Sequence, residues 1–349
     1  MMEPGIIWWD RIGTGLQYVE AVTEALRDQR STVLQIPHYF PWKQAFYRKV
    51  DIERSPFGAH RGLVRRAWDG GDVGEFVLEQ FCSRETRSEY WPMISVAKYL
   101  ASLEDILLCD YYVWITGIRT QQDLDRWAQF VHEYESCATM AQRAVFILEY
   151  TGDHRQNLLP VLPYEVTRVD CRILCLEMAE QLRNAKNDDY LAEMALSIGG
   201  GDPEFSVALL QQGDALCADP CAAVQTVAQT CRHSSGAPFA SMTQDQILSA
   251  AWKAALVLLF PAVESFRMEF ISRHEGTLSY HLPISDSNGQ EITTPRDLEI
   301  GTLWHLVTKR AKGFTPAQTE QVTLCRNVRN KLAHLDPVPY EDALKVLKL

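Results

Sequence analysis

The chain has 349 residues, of which 46% are hydrophobic and 23% charged. That is the composition of an ordinary globular protein, and the length suits two or three domains. A formal net charge of -11 excludes a uniformly basic nucleic-acid coat and leaves room only for a local basic face. No apolar run reaches the roughly 18–20 residues expected of a membrane helix, and the start, MMEPGIIWWDRIG, does not read as a secretory signal. Nine cysteines are scattered over the chain, which is no disulfide framework. The expectation is a cytoplasmic protein with reduced thiols and no membrane association.

In chain order, the first 180 residues alternate between strand-like and helix-like runs. Thr32 to Ile36, Tyr112 to Ile118 and Ala144 to Tyr150 are short apolar segments rich in branched or aromatic side chains, and Arg172 to Leu176 is read as a fourth. Between them Val96, Tyr99, Leu100, Leu103 and Leu107 recur at helical spacing. So do Leu124, Trp127, Ala128, Val131 and Tyr134. This pattern predicts an α/β domain over 1–187, with a parallel sheet covered by helices on both faces. Residues 188–231 read as helices only. Asp202-Pro203 caps and opens one of them. The small, polar stretch Arg232 to Ser241 reads as a linker.

Residues 242–349 read as an all-α bundle. A long helix spans Ile247 to His274 with Pro261 inside it, and a polar excursion with a turn at Ser287-Asn288-Gly289 follows. A helix then opens at Pro295, another at Thr315-Pro316 running to about Leu335, and a short one closes the chain from Tyr340. Charge is divided unevenly: residues 250–349 carry +1 and residues 1–249 carry -12. Between Thr308 and Lys331 lie Lys309, Arg310, Lys312, Arg326, Arg329 and Lys331 against the single acid Glu320. Either this is a solvated helix face, or it draws in an anion.

The penultimate helix carries Arg326, Arg329, Asn330, Lys331 and His334. On a continuous helix Asn330 and His334 share a face one turn apart, and Arg326 lies on the same stripe. Imidazole moves protons near neutral pH, and guanidinium binds phosphate oxygens through a planar fork. Together they are enough to transfer protons at a ribose 2′-hydroxyl and steady a phosphate, with no metal and no cofactor. The alternative is that Arg329 and His334 only pair within the bundle, Arg329 with Glu264 or Glu299.

Arg329-Asn330-x-x-x-His334 resembles the R-x4–6-H signature of HEPN domains, helical bundles many of which are ribonucleases. The resemblance covers about the last hundred residues. It implies metal-independent RNA cleavage in a cleft between two protomers, hence a homodimer formed through the bundle. Arg329 would then bind the scissile phosphate, His334 serve as acid and base, and Asn330 orient them. Arg326, Lys331, Lys309, Arg310 and Lys312 would contact RNA phosphates. Proteins of this design resemble prokaryotic toxin or phage-defence effectors. Many HEPN domains are non-catalytic, which implies instead an accessory subunit held by a protein partner in a defence complex.

The first strand leads into Pro37-His38-Tyr39-Phe40-Pro41-Trp42-Lys43-Gln44 and then a helix, which is the context of a P-loop. Lys43 falls at the lysine position. Pro37 and Trp42 replace the glycines that let backbone amides wrap phosphates, and Gln44 lacks the hydroxyl that holds magnesium. Glu149 is a weak substitute for the missing magnesium carboxylate. The layout resembles an AAA-like or STAND-like ATPase core with its hydrolytic parts lost and with 188–231 as a helical lid, so ATP hydrolysis is not expected. Cys171/Cys175 and Cys217/Cys221 are two C-x3-C pairs. Cys171 and Cys175 read as apolar core residues rather than zinc ligands.

Overall fold

The computed structural model describes residues 2–57, 61–103, 107–139, 143–152, 158–285, 289–310 and 313–349. They form two compact units, 2–170 and 171–349.

The first unit opens with helices α1 (Pro4–Arg11) and α2 (Gly13–Arg27). Strand β1 (Thr32–Ile36), helix α3 (Lys43–Arg54) and strand β2 (Gly62–Ala67) follow. Helices α4 (Val73–Phe81), α5 (Arg84–Glu89) and α6 (Val96–Ser102) lead to β3 (Tyr111–Ile118). Then come α7 (Gln121–Cys137), β4 (Val145–Thr151) and β5 (Val161–Pro163). The five strands are parallel, in the order β2-β3-β4-β1-β5. Both faces are covered. Val113, Ile115, Phe146 and Leu148 pack against Leu124, Trp127, Val131 and Tyr134 of α7, all fully buried. On the opposite face Trp114 meets Phe46 and Tyr47 of α3. Successive strand residues alternate faces, so one apolar run serves two helical layers. Near the end of β3 the register shifts between Ile115 and Ile118. Gly117 sits there at φ 94, where a Cβ would come within 2.4 Å of the Trp68 carbonyl oxygen. Only glycine allows that approach.

The second unit is helical. Helix α8 (Arg168–Leu182) crosses into it and is followed by α9 (Asp188–Gly199), α10 (Pro203–Leu210), α11 (Asp214–Ala218) and α12 (Pro220–Thr230). Next are α13 (Gln244–Arg273) and α14 (Glu275–Ser279). A small antiparallel pair joins β6 (Ile284–Ser285) to β7 (Glu291–Ile292), and then come α15 (Ile300–His305), α16 (Pro316–Ala333) and α17 (Tyr340–Val346). Helix α13 is the axis, packing against α9, α12, α16 and α17. Thr243 and Gln246 form a reciprocal capping box at its start, and Thr315 with Gln318 repeats the device on α16.

Three expectations are corrected. Arg172 to Leu176 is not a strand. It lies inside α8, where Cys171, Leu174, Cys175 and Met178 recur at helical spacing and are buried. The membrane-length criterion is met after all: α13 contains an 18-residue stretch of mean hydropathy 1.6, long and apolar enough by length and composition, of which 33% is buried here. The helix expected from Pro295 is broken into a 3-10 turn (Pro295–Asp297), α15 and a π turn (Leu306–Arg310). Ser287 and Asn288 of the polar turn lie outside the described residues.

Candidate functional site

Helix α16 ends at Ala333, with His334 as its C-cap. The His334 amide donates to the carbonyls of Asn330 and Lys331, and the Asp336 amide donates to Lys331 O at 2.9 Å. Leu335 between them takes a left-handed conformation, φ 61. The Asp336 bond is the outer, 6→1 bond of a Schellman ending, with leucine where glycine is usual. The Leu332 carbonyl, left over at the terminus, accepts the indole N–H of Trp252 from α13 at 2.9 Å.

Val322, Cys325, Val328 and Leu332 are the buried stripe of α16. At about 100° per residue, Arg329 flanks that stripe and Arg326, Asn330 and His334 follow around the helix. His334 lies roughly opposite the buried stripe, about 140° from Arg329. Arg329 and Asn330 are half-buried and His334 is exposed. Among the described residues no ion pair joins Arg329 to Glu264 or Glu299, and Glu264 instead pairs with Arg267 at 2.8 Å. Arg326 lies over the Trp304 ring, 4.0 Å from its centroid. That stacking holds one guanidinium upright without consuming its donors. Trp304 is itself fixed by donating to Thr323 Oγ1 at 3.1 Å.

Lys331 is half-buried one turn below Leu335. Lys309 is exposed on the π turn, which packs against α16. The backbone of Arg310 ends that turn; its side chain and all of Lys312 lie outside the described residues. An open groove of about 620 Å³ runs beside α16, lined by Thr319, Glu320, Thr323, Asn327, Asp342 and Lys345. Arg326, Arg329, Asn330 and His334 do not line it. The sequence thus places four cationic or imidazole groups, Arg326, Arg329, Lys331 and His334, on the last turns of α16, fanned over a wide arc.

In the first unit, Lys43 is the first residue of α3, as the P-loop-like spacing implies. Its ammonium donates to Glu149 Oε1 on β4. Glu149 is 4% exposed, and its other oxygen accepts from Tyr47 Oη at 2.6 Å and Trp114 Nε1 at 3.3 Å. Arg65 of β2 lies over the rings of both Tyr47 and Trp114 and makes a two-pronged pair with Asp51 at 3.0 and 3.1 Å. Burial and the charge of Glu149 push the Tyr47 phenol far above its ordinary value.

The position of this cluster matters. β1 and β4 are neighbours, yet the chain leaves β1 toward one edge of the sheet and leaves β4 toward the other. Open α/β sheets bind ligands at such a switch point, outside the carboxyl ends of the strands. Here the crevice is closed by Lys43 and Glu149 from its two sides. The loop before α3 is also filled: the Trp9 indole donates to the Pro41 and Trp42 carbonyls, and Trp9, Phe40, Phe46, Tyr18 and Tyr164 form one aromatic cluster. Gly5 lets α1 press on Trp42, whose side chain would be 2.8 Å from an added Cβ. Trp8 and Trp9 are therefore core residues, 0% exposed.

Sequence reading missed a second polar cluster. Residues 232–241, expected to be a free linker, are pinned to α10. His233, 6% exposed, stands 3.2 Å from Asp202 and 3.7 Å from buried Glu204. Glu204 accepts from the Ser234 amide at 2.5 Å and the Ser234 hydroxyl at 2.6 Å. Phe239 stacks on Phe205. Burial raises the Asp202 carboxyl above the usual range, partly offset by the Phe205 amide and His233. The signal in the sequence was His233-Ser234 and Phe239 inside an otherwise small, polar stretch.

No family model matches the chain, and no curated protein is similar to it. A solved structure similar to it is that of a DNA polymerase III gamma-subunit-related protein from Thermotoga maritima. It is 10% identical, covers 95% of this chain and 97% of that one, and has a TM-score of 0.29. A likeness of that degree carries no argument about activity.

Proposed function

We propose that the chain is an RNA-binding effector whose helical unit contacts and cleaves the RNA backbone at the end of α16, with the α/β unit as a docking module that does not hydrolyse ATP. The observation that carries this reading is that neither Arg329 nor His334 has an ion-pair partner among the described residues, with His334 exposed. Cationic donors that are not neutralised by the fold remain available to phosphate. In the proposed step His334 takes the proton from a ribose 2′-hydroxyl as that oxygen attacks the adjacent phosphorus. The P–O5′ bond breaks, and the 5′-oxygen receives a proton from the resulting imidazolium or from water. Arg329 and Arg326 offset the charge gathering on the phosphoryl oxygens. The products are a 2′,3′-cyclic phosphate and a 5′-hydroxyl.

The test is incubation of the full chain with RNA in the presence of EDTA, together with growth of cells expressing it. Cleavage and growth arrest are expected, each reduced at least about 100-fold by His334→Ala and by Arg329→Ala. RNA left intact by the wild-type chain in both settings overturns the catalytic reading.

A second reading is a non-catalytic subunit of a larger assembly. The wide arc between Arg329 and His334 and the closed crevice at Lys43 favour it. It predicts RNA binding that is weakened by Arg326→Ala and Arg329→Ala, unchanged by His334→Ala, and accompanied by no cleavage.

A further inference from the structure

We propose that the second unit holds a binding site for a small organic ammonium with an apolar ring or branched body. The inference is independent of the RNA reading. A cavity of about 140 Å³ lies among α9, α11, α12, α13 and the segment 335–338. Its wall includes Tyr190, Met194, Leu248, Trp252, Ala255 and Val338. Apolar cavities of about 150 Å³ take up benzene, so the volume suits one six-membered ring. Asp336 is the one charged residue among the described residues that line it. Tyr190 and Trp252 add two aromatic rings to the wall.

An ammonium beside aromatic rings and a carboxylate gains both quadrupole and ion-pair attraction, whereas a carboxylate ligand would meet like charge. The wall is built from firmly held parts. The Trp252 indole is tied to the Leu332 carbonyl at 2.9 Å, Tyr190 stacks on Tyr340, and Tyr340 donates to Asp214 at 2.8 Å. Asp336 is fixed through its backbone by the bond from its amide to Lys331 O. Leu248, 40% exposed, stands where α13 borders the opening. The site is therefore preorganised, with its polar end toward solvent.

The experiment is calorimetric and thermal-shift titration of the full chain at pH 7 with benzylammonium, toluene and benzoate. Benzylammonium is expected to bind about five- to tenfold tighter than toluene, and benzoate weakest. At ten times Kd it should raise the melting temperature by about 3 °C. Asp336→Asn should bring benzylammonium down to the level of toluene without abolishing either. Ala255→Leu, which fills the cavity, should remove binding of all three. Leu248→Trp at the opening does the same without touching a buried position, so a poorly folding Ala255→Leu would not leave the matter open. Absence of saturable binding to the wild-type chain overturns the proposal. So does binding that survives Leu248→Trp, or a benzylammonium preference unchanged by Asp336→Asn.

Discussion

Lys43, on the first turn of α3, donates its ammonium to the buried carboxylate of Glu149, 106 residues later in the chain. Tyr47 and Trp114 complete the shell around that carboxylate. A lysine at the position where a P-loop would present it to phosphate is here a structural cation, serving an acid that the sheet brings to the same crevice.

Lys43→Met should therefore act on stability. It leaves Glu149 buried without its cation, which is expected to cost about 2–4 kcal/mol, somewhat below the cost of breaking a fully buried pair because Lys43 is 34% exposed. The double variant Lys43→Met/Glu149→Leu should recover part of that loss. Urea midpoints of the four proteins in the cycle measure it, and a wild-type midpoint for Lys43→Met would contradict the assignment.

Alkaline titration should separate buried from surface phenols. Burial raises Tyr18, Tyr47, Tyr190 and Tyr340 above the ordinary tyrosine value of 10.0, with Glu149 adding to the first two. In the folded chain these groups keep their protons where an unfolded chain releases them. Their contribution to stability is full below pH 10 and declines as pH rises above it. Absorbance at 295 nm should show these phenols silent near pH 10 and ionising only as the chain unfolds. Cys217 and Cys325, each pushed up to about 12 by burial, should resist alkylation over the same range.

Leu335→Gly should stabilise the second unit by about 0.5–1 kcal/mol. The leucine side chain is 67% exposed and its backbone is left-handed, so strain outweighs the apolar contact it gives. A thermal melt should rise by about 1–4 °C. A fall would mean that Leu335 holds the end of α16 through its side chain.

Glu204→Ala should release the pinned segment. The Ser234 amide and hydroxyl lose their acceptor, His233 loses one of two carboxylates, and the cost is about 2–3 kcal/mol. Trypsin at Arg232, already exposed, is the readout: cleavage there should accelerate at least tenfold while cleavage at Lys253 does not.

Legibility followed local pattern. β1 was found to the residue, and β3, β4 and α7 nearly so, because their apolar runs serve a sheet covered on both faces. β2 was missed because Gly62–Ala67 carries Arg65 and Arg66 and sits half-exposed at an edge. β5 was missed because it is three residues long and ends in Pro163. Arg172–Leu176 misled because a five-residue apolar run has the same composition in a buried helix as in a strand. At the candidate sites, the position of Lys43 was readable from spacing, but its partner was not, since only the strand order sets Glu149 beside it. The residues of α16 were readable as a helix face. That His334 would fall on the cap rather than the helix depended on Leu335 accepting a left-handed turn.

The strand order also has a consequence for synthesis. Among the described residues β1 pairs with β4 and β5 alone, so this interior strand has no neighbour until residues 145–163 have been made. At roughly 5–20 residues per second, Val33 and Leu34 leave the ribosome on the order of ten seconds before their partners. A nascent chain with an interior strand unpaired for that long is a natural client for a chaperone that holds hydrophobic segments. Slowing translation between residues 36 and 145 should lower the yield of folded protein more than slowing it anywhere in the helical unit.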